Sequence, residues 1–416
     1  MAAEQTEYVL VTEYFHPDKA STGQLMTDLA VGLQERGLDL TVYTGQPNYH
    51  SGENDRQPRV STHEGVRVKR IRAPQVRQSS LPRRLFNWTV FTAWMFFVLL
   101  FSTSDKDREI VFVSNPPFLP IAMWLVCRVR GWHYTYIVYD VYPEMAIAPG
   151  HISEEGLIAR VWARLTEYAF RDSTRIVSLG PAMREKIIDY VDNPDFDESK
   201  VSIIHNWEDE EFIQPLPKSK NWFCQEHDLI DTFTILYSGN IGDNHDLETL
   251  VRAAVKFKTE PVTFLIIGEG DKKPSLVNLA LQNGLIGGTV KFLPYQEIDD
   301  LPYTLTAGDV SVVTVSEGMK GVCVSSKLYT GLAAGTPILV ISDADDDEAR
   351  IVNECSAGMQ VKQGDVDAVV KAIEDWRSAP KIVNEQGRNA REAFLNNFTK
   401  QHSIDNYYRV LTEDLD

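Results

Sequence analysis

Short apolar runs rich in β-branched and aromatic residues alternate along this chain with amphipathic stretches of helical period. In the first half the runs fall at residues 8–12, 40–44, 66–71, 110–113, 134–138, 175–178 and 201–204. In the second they fall at 233–238, 263–268, 290–292, 310–314 and 337–341. Each is of strand length, and most precede ten or more residues with helical periodicity. Repeated strand–helix units predict parallel sheets covered on both faces. Two such series predict an α/β chain with two Rossmann-like, doubly wound domains. The boundary is expected within 209–231, where Gln214-Pro-Leu-Pro-Lys-Ser-Lys is Pro-rich and polar as linkers often are. This gives domains at 1–212 and 213–397, and 398–416 reads as a helix after the second domain.

Composition narrows the function classes. The 416 residues suit two cores of roughly 200 each, and 43% hydrophobic residues mark a globular protein. Lys plus Arg number 41 against 59 Asp plus Glu, a net charge of −18. That balance argues against nucleic acid as a partner, because phosphate contacts need a basic footprint. It suits a high-salt cytoplasm or an ordinary acidic protein equally well. Cys127, Cys224, Cys323 and Cys355 show no metal-binding spacing and read as buried thiols in a reducing compartment. No signal peptide is apparent at the N-terminus, so the domains are expected in the cytoplasm. Residues 343–348, with five carboxylates in six positions, read as a solvated loop.

The distribution of charge says more than its total. No acidic residue occurs between Gly65 and Ser104. Arg67, Lys69, Arg70, Arg72, Arg77, Arg83 and Arg84 precede the apolar run 85–101, which contains Trp88 and Trp94. Its 17 residues fall short of the ~20 that cross a bilayer. Aromatic residues beside clustered arginines suit a helix lying among anionic headgroups. The alternatives are a core helix with surface arginines, or a true span.

The second half supplies two glycine turns directly after strands. They are Tyr237-Ser-Gly239-Asn240-Ile-Gly242 and Ile266-Ile-Gly268-Glu269-Gly270, the latter followed by Lys272 and Lys273. Such turns let backbone amides approach phosphate at the carboxyl ends of strands. A third element runs from Glu317 to Pro337, with Lys327 expected in the first turn of a helix. A helix N-terminus and an adjacent ammonium together favour a pyrophosphate.

These three segments, in this order, resemble the nucleotide-sugar half of the retaining glycosyltransferase family four, in its capsule and colanic-acid type. In the first half, Tyr14-Phe-His-Pro-Asp18, Thr22-Gly23, Tyr139-Asp-Val-Tyr-Pro-Glu144 and His205-Asn-Trp207 are similar to further elements of that family. The resemblance runs from about residue 8 to 412 and implies the GT-B fold: two Rossmann-like domains facing a central cleft, with the last helix crossing back to the first.

It also implies a donor that is a sugar nucleotide, UDP-linked by family precedent, and needs neither cofactor nor metal. Fixed cations stabilise the departing pyrophosphate, and an acceptor hydroxyl attacks from the same face. Asp140 is the expected catalytic or acceptor-orienting carboxylate, with Glu144 as the alternative. Thr22 and Gly23 are expected on the acceptor side, and Glu317 near the sugar hydroxyls. Two departures stand out: Thr330 occupies a position where many members carry the glutamate that meets the ribose. Asn240 follows the first glycine where many carry arginine. Lys327, Lys272 and Lys273 are then the cations left for the pyrophosphate. The basic collar implies a polyprenyl-linked acceptor at the cytoplasmic face of a membrane, in surface polysaccharide or glycoprotein glycan synthesis. A sugar-nucleotide epimerase and a silent membrane scaffold are the competing readings.

Overall fold

In the computed structural model, residues 6–18, 20–47, 56–71, 81–103, 106–191 and 193–413 are described. Eight strands from the first half form one sheet: β1 (Thr6–Val11), β2 (Leu40–Thr44), β3 (Val60–His63), β4 (Val66–Arg70), β5 (Asp107–Val113), β6 (His133–Ile137), β7 (Arg175–Ser178) and β8 (Val201–Ile203). Their order is β3-β4-β2-β1-β5-β6-β7-β8, and only β3 runs antiparallel to its neighbour. Six strands form the second: β9 (Phe233–Ser238), β10 (Val262–Ile267), β11 (Val290–Leu293), β12 (Val310–Thr314), β13 (Ile338–Ile341) and β14 (Gly358–Val361). Their order is β11-β10-β9-β12-β13-β14, parallel throughout. Strand order therefore reverses between β1 and β5, and again between β9 and β12. Open α/β sheets bind ligands outside the carboxyl ends of strands at such switch points.

The chain divides into two units, 1–205 with 401–416, and 206–400. The first division lies seven residues before the expected one (212 − 205 = 7), because the expected linker is packed on the second unit. Arg391 donates to the carbonyls of Glu210 and Ile213, and Trp207 is buried. Lys218 donates to the Leu229 and Thr232 carbonyls and pairs with Asp309, while Phe223 and Cys224 join the core. The final helix, Lys400–Thr412, packs within the first unit. Ile404 sits against Gly32, where a Cβ would lie 2.5 Å from its Cδ1, and the Tyr8 hydroxyl donates to the Leu411 carbonyl at 2.9 Å.

Two expectations are overturned by burial. Residues 343–348 are not a solvated loop, since Asp346, Asp347 and Glu348 are buried at the start of the helix Asp347–Glu354. Arg70 does not face solvent either: its guanidinium turns inward to Ser61 Oγ (2.7 Å) and the His16 carbonyl (2.5 Å). Cys127 and Cys224 are buried as expected, whereas Cys323 and Cys355 are half-buried.

The run 85–101 lies mostly within the helix Leu81–Leu100. Phe91, Met95 and Leu99, spaced by four, fill the core on one face. Phe86, Trp94 and Phe97 are exposed on the other, together with Phe101 just beyond. Among the described residues no helix is long and apolar enough to cross a membrane.

Candidate active site

In the second unit, the two glycine turns are locked together backbone to backbone. Gly239, Gly268 and Gly270 have φ of 142°, 145° and 156°, which side-chain-bearing residues rarely adopt. A Cβ on Gly268 would lie 1.9 Å from the Gly239 carbonyl oxygen, and one on Gly270 would lie 2.2 Å from that of Ile241. The amides of Gly239 and Ile241 donate to Ile267 and Glu269, and the Tyr237 hydroxyl closes its own turn on the Asn240 carbonyl at 2.5 Å. The Asn240 side chain is exposed.

Lys327 opens the helix Lys327–Ala334 and lies across the first turn, where a Cβ on Gly239 would sit 2.4 Å from its Cε. Its Nζ is 3.4 Å from His245 Nε2 and 5.3 Å from the centre of the Tyr237 ring. His245 is buried, with Nδ1 2.9 Å from the carbonyl of Thr314, the last residue of β12. Nδ1 therefore carries the proton, and Nε2 turns a lone pair toward the ammonium. Burial and the Lys327 charge push His245 down to about 3, so the imidazole is neutral. Burial lowers Lys327 to about 8, opposed by Cys323 and Glu348.

The sequence reading missed His245 as a partner, and no spacing signal marks it. In the structure, the contacts with His245 and Gly239 set the lysine at the switch point between β9 and β12.

The other donor-side residues differ in availability. Lys273 is consumed by the turn itself, donating to the Gly268 carbonyl (2.8 Å), Glu269 (2.7 Å) and the Leu293 carbonyl (3.2 Å). Lys272 donates to the His245 carbonyl at 2.9 Å and lies 3.5 Å from Glu248. Glu269 and Glu317 are exposed. Thr330 turns its hydroxyl back to the Lys327 carbonyl at 3.0 Å.

Beneath these residues the buried carboxylates hold the loop before the helix. Asp346 accepts from the Gly321 amide at 3.5 Å, and Glu348 accepts from the Ser325 amide at 2.5 Å. Burial raises both carboxyls, joined by the charges of Asp347 and Asp343 at Asp346 and of Asp346 and Asp347 at Glu348.

In the first unit, adjacent strands carry chemistry at their carboxyl ends. Ser114, just after β5, accepts the amides of Tyr139 and Asp140 at 3.1 and 2.9 Å and so fixes the turn after β6. Burial raises the Asp140 carboxyl to about 6. Glu144 begins a short helix, half-buried and also raised by burial. Glu13, beyond the end of β1, is buried and pushed up to about 8. It was not among the expected residues, although a carboxylate in the first strand-to-helix turn was a visible signal. Thr22 lies in the first turn of the helix Ser21–Glu35, and Gly23 fits closely on Tyr14, where a Cβ would approach to 3.1 Å.

The expected membrane collar is dispersed. Arg67 and Arg83 are exposed, Arg84 and Trp88 half-buried, and Trp94 exposed. Lys69 instead reaches the Tyr43 hydroxyl at 2.8 Å, Arg70 is turned inward, and Arg72 and Arg77 lie outside the described residues.

Residues 22–207 match the Glycosyl transferase 4-like domain, and residues 224–393 match the family Glycosyl transferases group 1. The chain belongs to the group 1 glycosyl transferases. This glycosyltransferase is 26% identical to the glycosyltransferase WbjE of Pseudomonas aeruginosa, over 69% of the chain and 70% of that protein. It is 26% identical to the colanic acid biosynthesis glycosyl transferase WcaI of Escherichia coli, over 88% of the chain and 91% of that protein. Its fold is GT-B, as in HepE of Anabaena crystallised with UDP and glucose (TM-score 0.72, 14% identity, 98% of this chain and 99% of that one).

Proposed function

We propose that this glycosyltransferase moves a sugar from a UDP-linked donor to a polyprenyl-linked glycan, with retention of anomeric configuration. It would act peripherally at the cytoplasmic face of a membrane, in synthesis of a surface polysaccharide or glycoprotein glycan. The observation that carries the donor reading is Lys327, set beside neutral His245 and across the Gly239 turn at the β9/β12 switch point. An ammonium in that position would stabilise the leaving pyrophosphate, which gains charge as its bond to the anomeric carbon breaks. The acceptor oxygen would form the new bond to that carbon and pass its proton to a phosphate oxygen. Asp140, with its backbone fixed by Ser114, would orient the acceptor hydroxyl. HepE with UDP supports the nucleotide. The relation to WcaI supports a role in polysaccharide synthesis. Trp94 and Phe97, exposed on the helix whose first turn carries Arg83 and Arg84, support a lipid-linked acceptor.

The test is incubation of the purified protein with native lipid and a panel of radiolabelled sugar nucleotides, followed by organic extraction. Label should enter the lipid fraction from one donor and be lost in folded Asp140→Ala and Lys327→Ala variants. Conversion of a soluble donor to its epimer, without transfer, would replace this reading with an epimerase.

A further inference from the structure

Three helices of the first unit lie side by side: Leu81–Leu100, Leu119–Arg130 and Leu157–Arg171. Arg130 caps the first by donating to the Leu100 and Ser102 carbonyls. Phe118 packs on Trp162 with ring centres 4.9 Å apart, and Trp124 donates to Asp172 at 2.9 Å, so the third helix runs along the second. Their solvent face is unusually apolar for a protein surface. Leu157, Ile158 and Val161 are 76%, 69% and 51% exposed, and Val129 on the middle helix is 70% exposed. Trp94 and Phe97 continue this face onto the first helix. Between the first two helices runs an open slot of about 430 Å³ lined by Ala93, Phe96, Ile121 and Leu125.

The charge of this layer is opposite to that of the chain. The three helices carry seven arginines and one acid, Glu167, which is buried and paired with Arg164; 7 − 1 = +6, on a chain of net −18. The acids at its margins are Asp172, held by Trp124, Arg128 and Arg171, and exposed Glu154 and Glu155 before the third helix. Arg83, Arg128, Arg130, Arg160 and Arg164 are exposed. Two copies apposed through this face would bring arginine fields together, which disfavours a dimer.

We infer that the layer formed by these three helices is the seat for an anionic bilayer. Leu157, Ile158 and Val161 enter the acyl boundary, the slot takes up an acyl chain, and the arginines meet the headgroups. This deepens the membrane placement proposed above and adds helix Leu157–Arg171 to it, a helix outside the basic collar read from the sequence.

The experiment is flotation of the full chain with phosphatidylcholine vesicles, with and without phosphatidylglycerol, in the absence of any sugar nucleotide. The wild type should float with anionic vesicles and be released by salt, since screening shortens the reach of exposed charges. Leu157→Ser/Ile158→Ser should partition at least tenfold less. Arg83→Gln/Arg160→Gln should lose about fivefold per arginine at low salt. All of these are surface changes, so circular dichroism melts should match the wild type. Transfer to a detergent-solubilised acceptor should survive in the Leu157→Ser/Ile158→Ser variant, which separates this inference from the catalytic reading. Equal flotation of that variant and wild type would overturn the inference, as would a wild type indifferent to lipid. A wild-type dimer that Leu157→Ser/Ile158→Ser dissolves would assign the face to a second copy instead.

Discussion

Replacing Lys327 by methionine keeps the length and apolar stem of the side chain and removes its charge. The free side chain titrates at about 8, so it is about 90% charged at pH 7, half charged at pH 8 and about 10% charged at pH 9. If it pairs with the donor pyrophosphate, bound nucleotide raises its proton affinity, and binding is tightest where the lysine is already protonated. Affinity should therefore be level near pH 7 and fall tenfold per pH unit well above 8. At an effective dielectric of about 20, a unit charge about 4 Å from a phosphate oxygen contributes up to roughly 4 kcal/mol. Removal of one fixed partner of developing charge commonly slows the chemical step by 10²–10³. Lys327→Met should accordingly lose about 10²-fold in transfer and show pH-independent binding over this range. Calorimetric titration with UDP from pH 7 to 9 measures this, because the terminal phosphate is largely ionised across that range and the uracil N3–H is still mostly protonated. A wild-type affinity that stays level to pH 9, or an equal decline in Lys327→Met, would refute the pairing.

Gly268→Ala should cost about 3 kcal/mol or more, since its Cβ would meet the Gly239 carbonyl oxygen at 1.9 Å and its φ is 145°. Gly284→Ala, with φ of 62° and no atom within 4 Å of the new Cβ, should cost only about 1 kcal/mol, and thermal melts of the pair test the contrast. Glu13 is raised by burial from 4.5 to about 8, so the native state holds a proton that the unfolded chain releases over that interval. Stability present below pH 4.5 should be lost as pH rises to about 8, by up to roughly 5 kcal/mol, and Glu13→Gln should flatten the slope in denaturant titrations. Asp140→Asn should reduce transfer by at least about 10²-fold at unchanged nucleotide affinity. Activity of the wild type should also fall below about pH 6, where the Asp140 carboxyl takes up its proton. A pH–rate profile of both forms checks this.

Most strands were legible because a parallel strand buried on both faces must be apolar, and runs such as Leu40–Thr44 and Val310–Thr314 announce that in composition alone. Two edge strands were not. Val60–His63 is exposed or half-exposed throughout, and pairing with β4 is what makes it a strand. Gly358–Val361 is half-buried over its first three residues, and pairing with β13 is what makes it a strand; a Cβ on Gly358 would lie 1.9 Å from the Ile338 carbonyl oxygen.

The candidate site divides in the same way. Glycines at strand ends and a lysine opening a helix are local signals, and the sequence alone determined the two strand–helix series, both glycine turns and the position of Lys327. Only the tertiary structure separated Lys327, held beside His245, from Lys273, spent on its own turn. It alone buried Asp346 and Glu348 in a stretch that composition assigns to solvent, and turned Arg70 inward from a basic collar. It also joined three helices, distant in sequence, into one arginine-rimmed apolar face. The reason is physical: periodicity reports how one segment meets its surroundings on average. The partner of a charge, by contrast, depends on which atoms other segments bring within about 3 Å, and on whether water is displaced when they do.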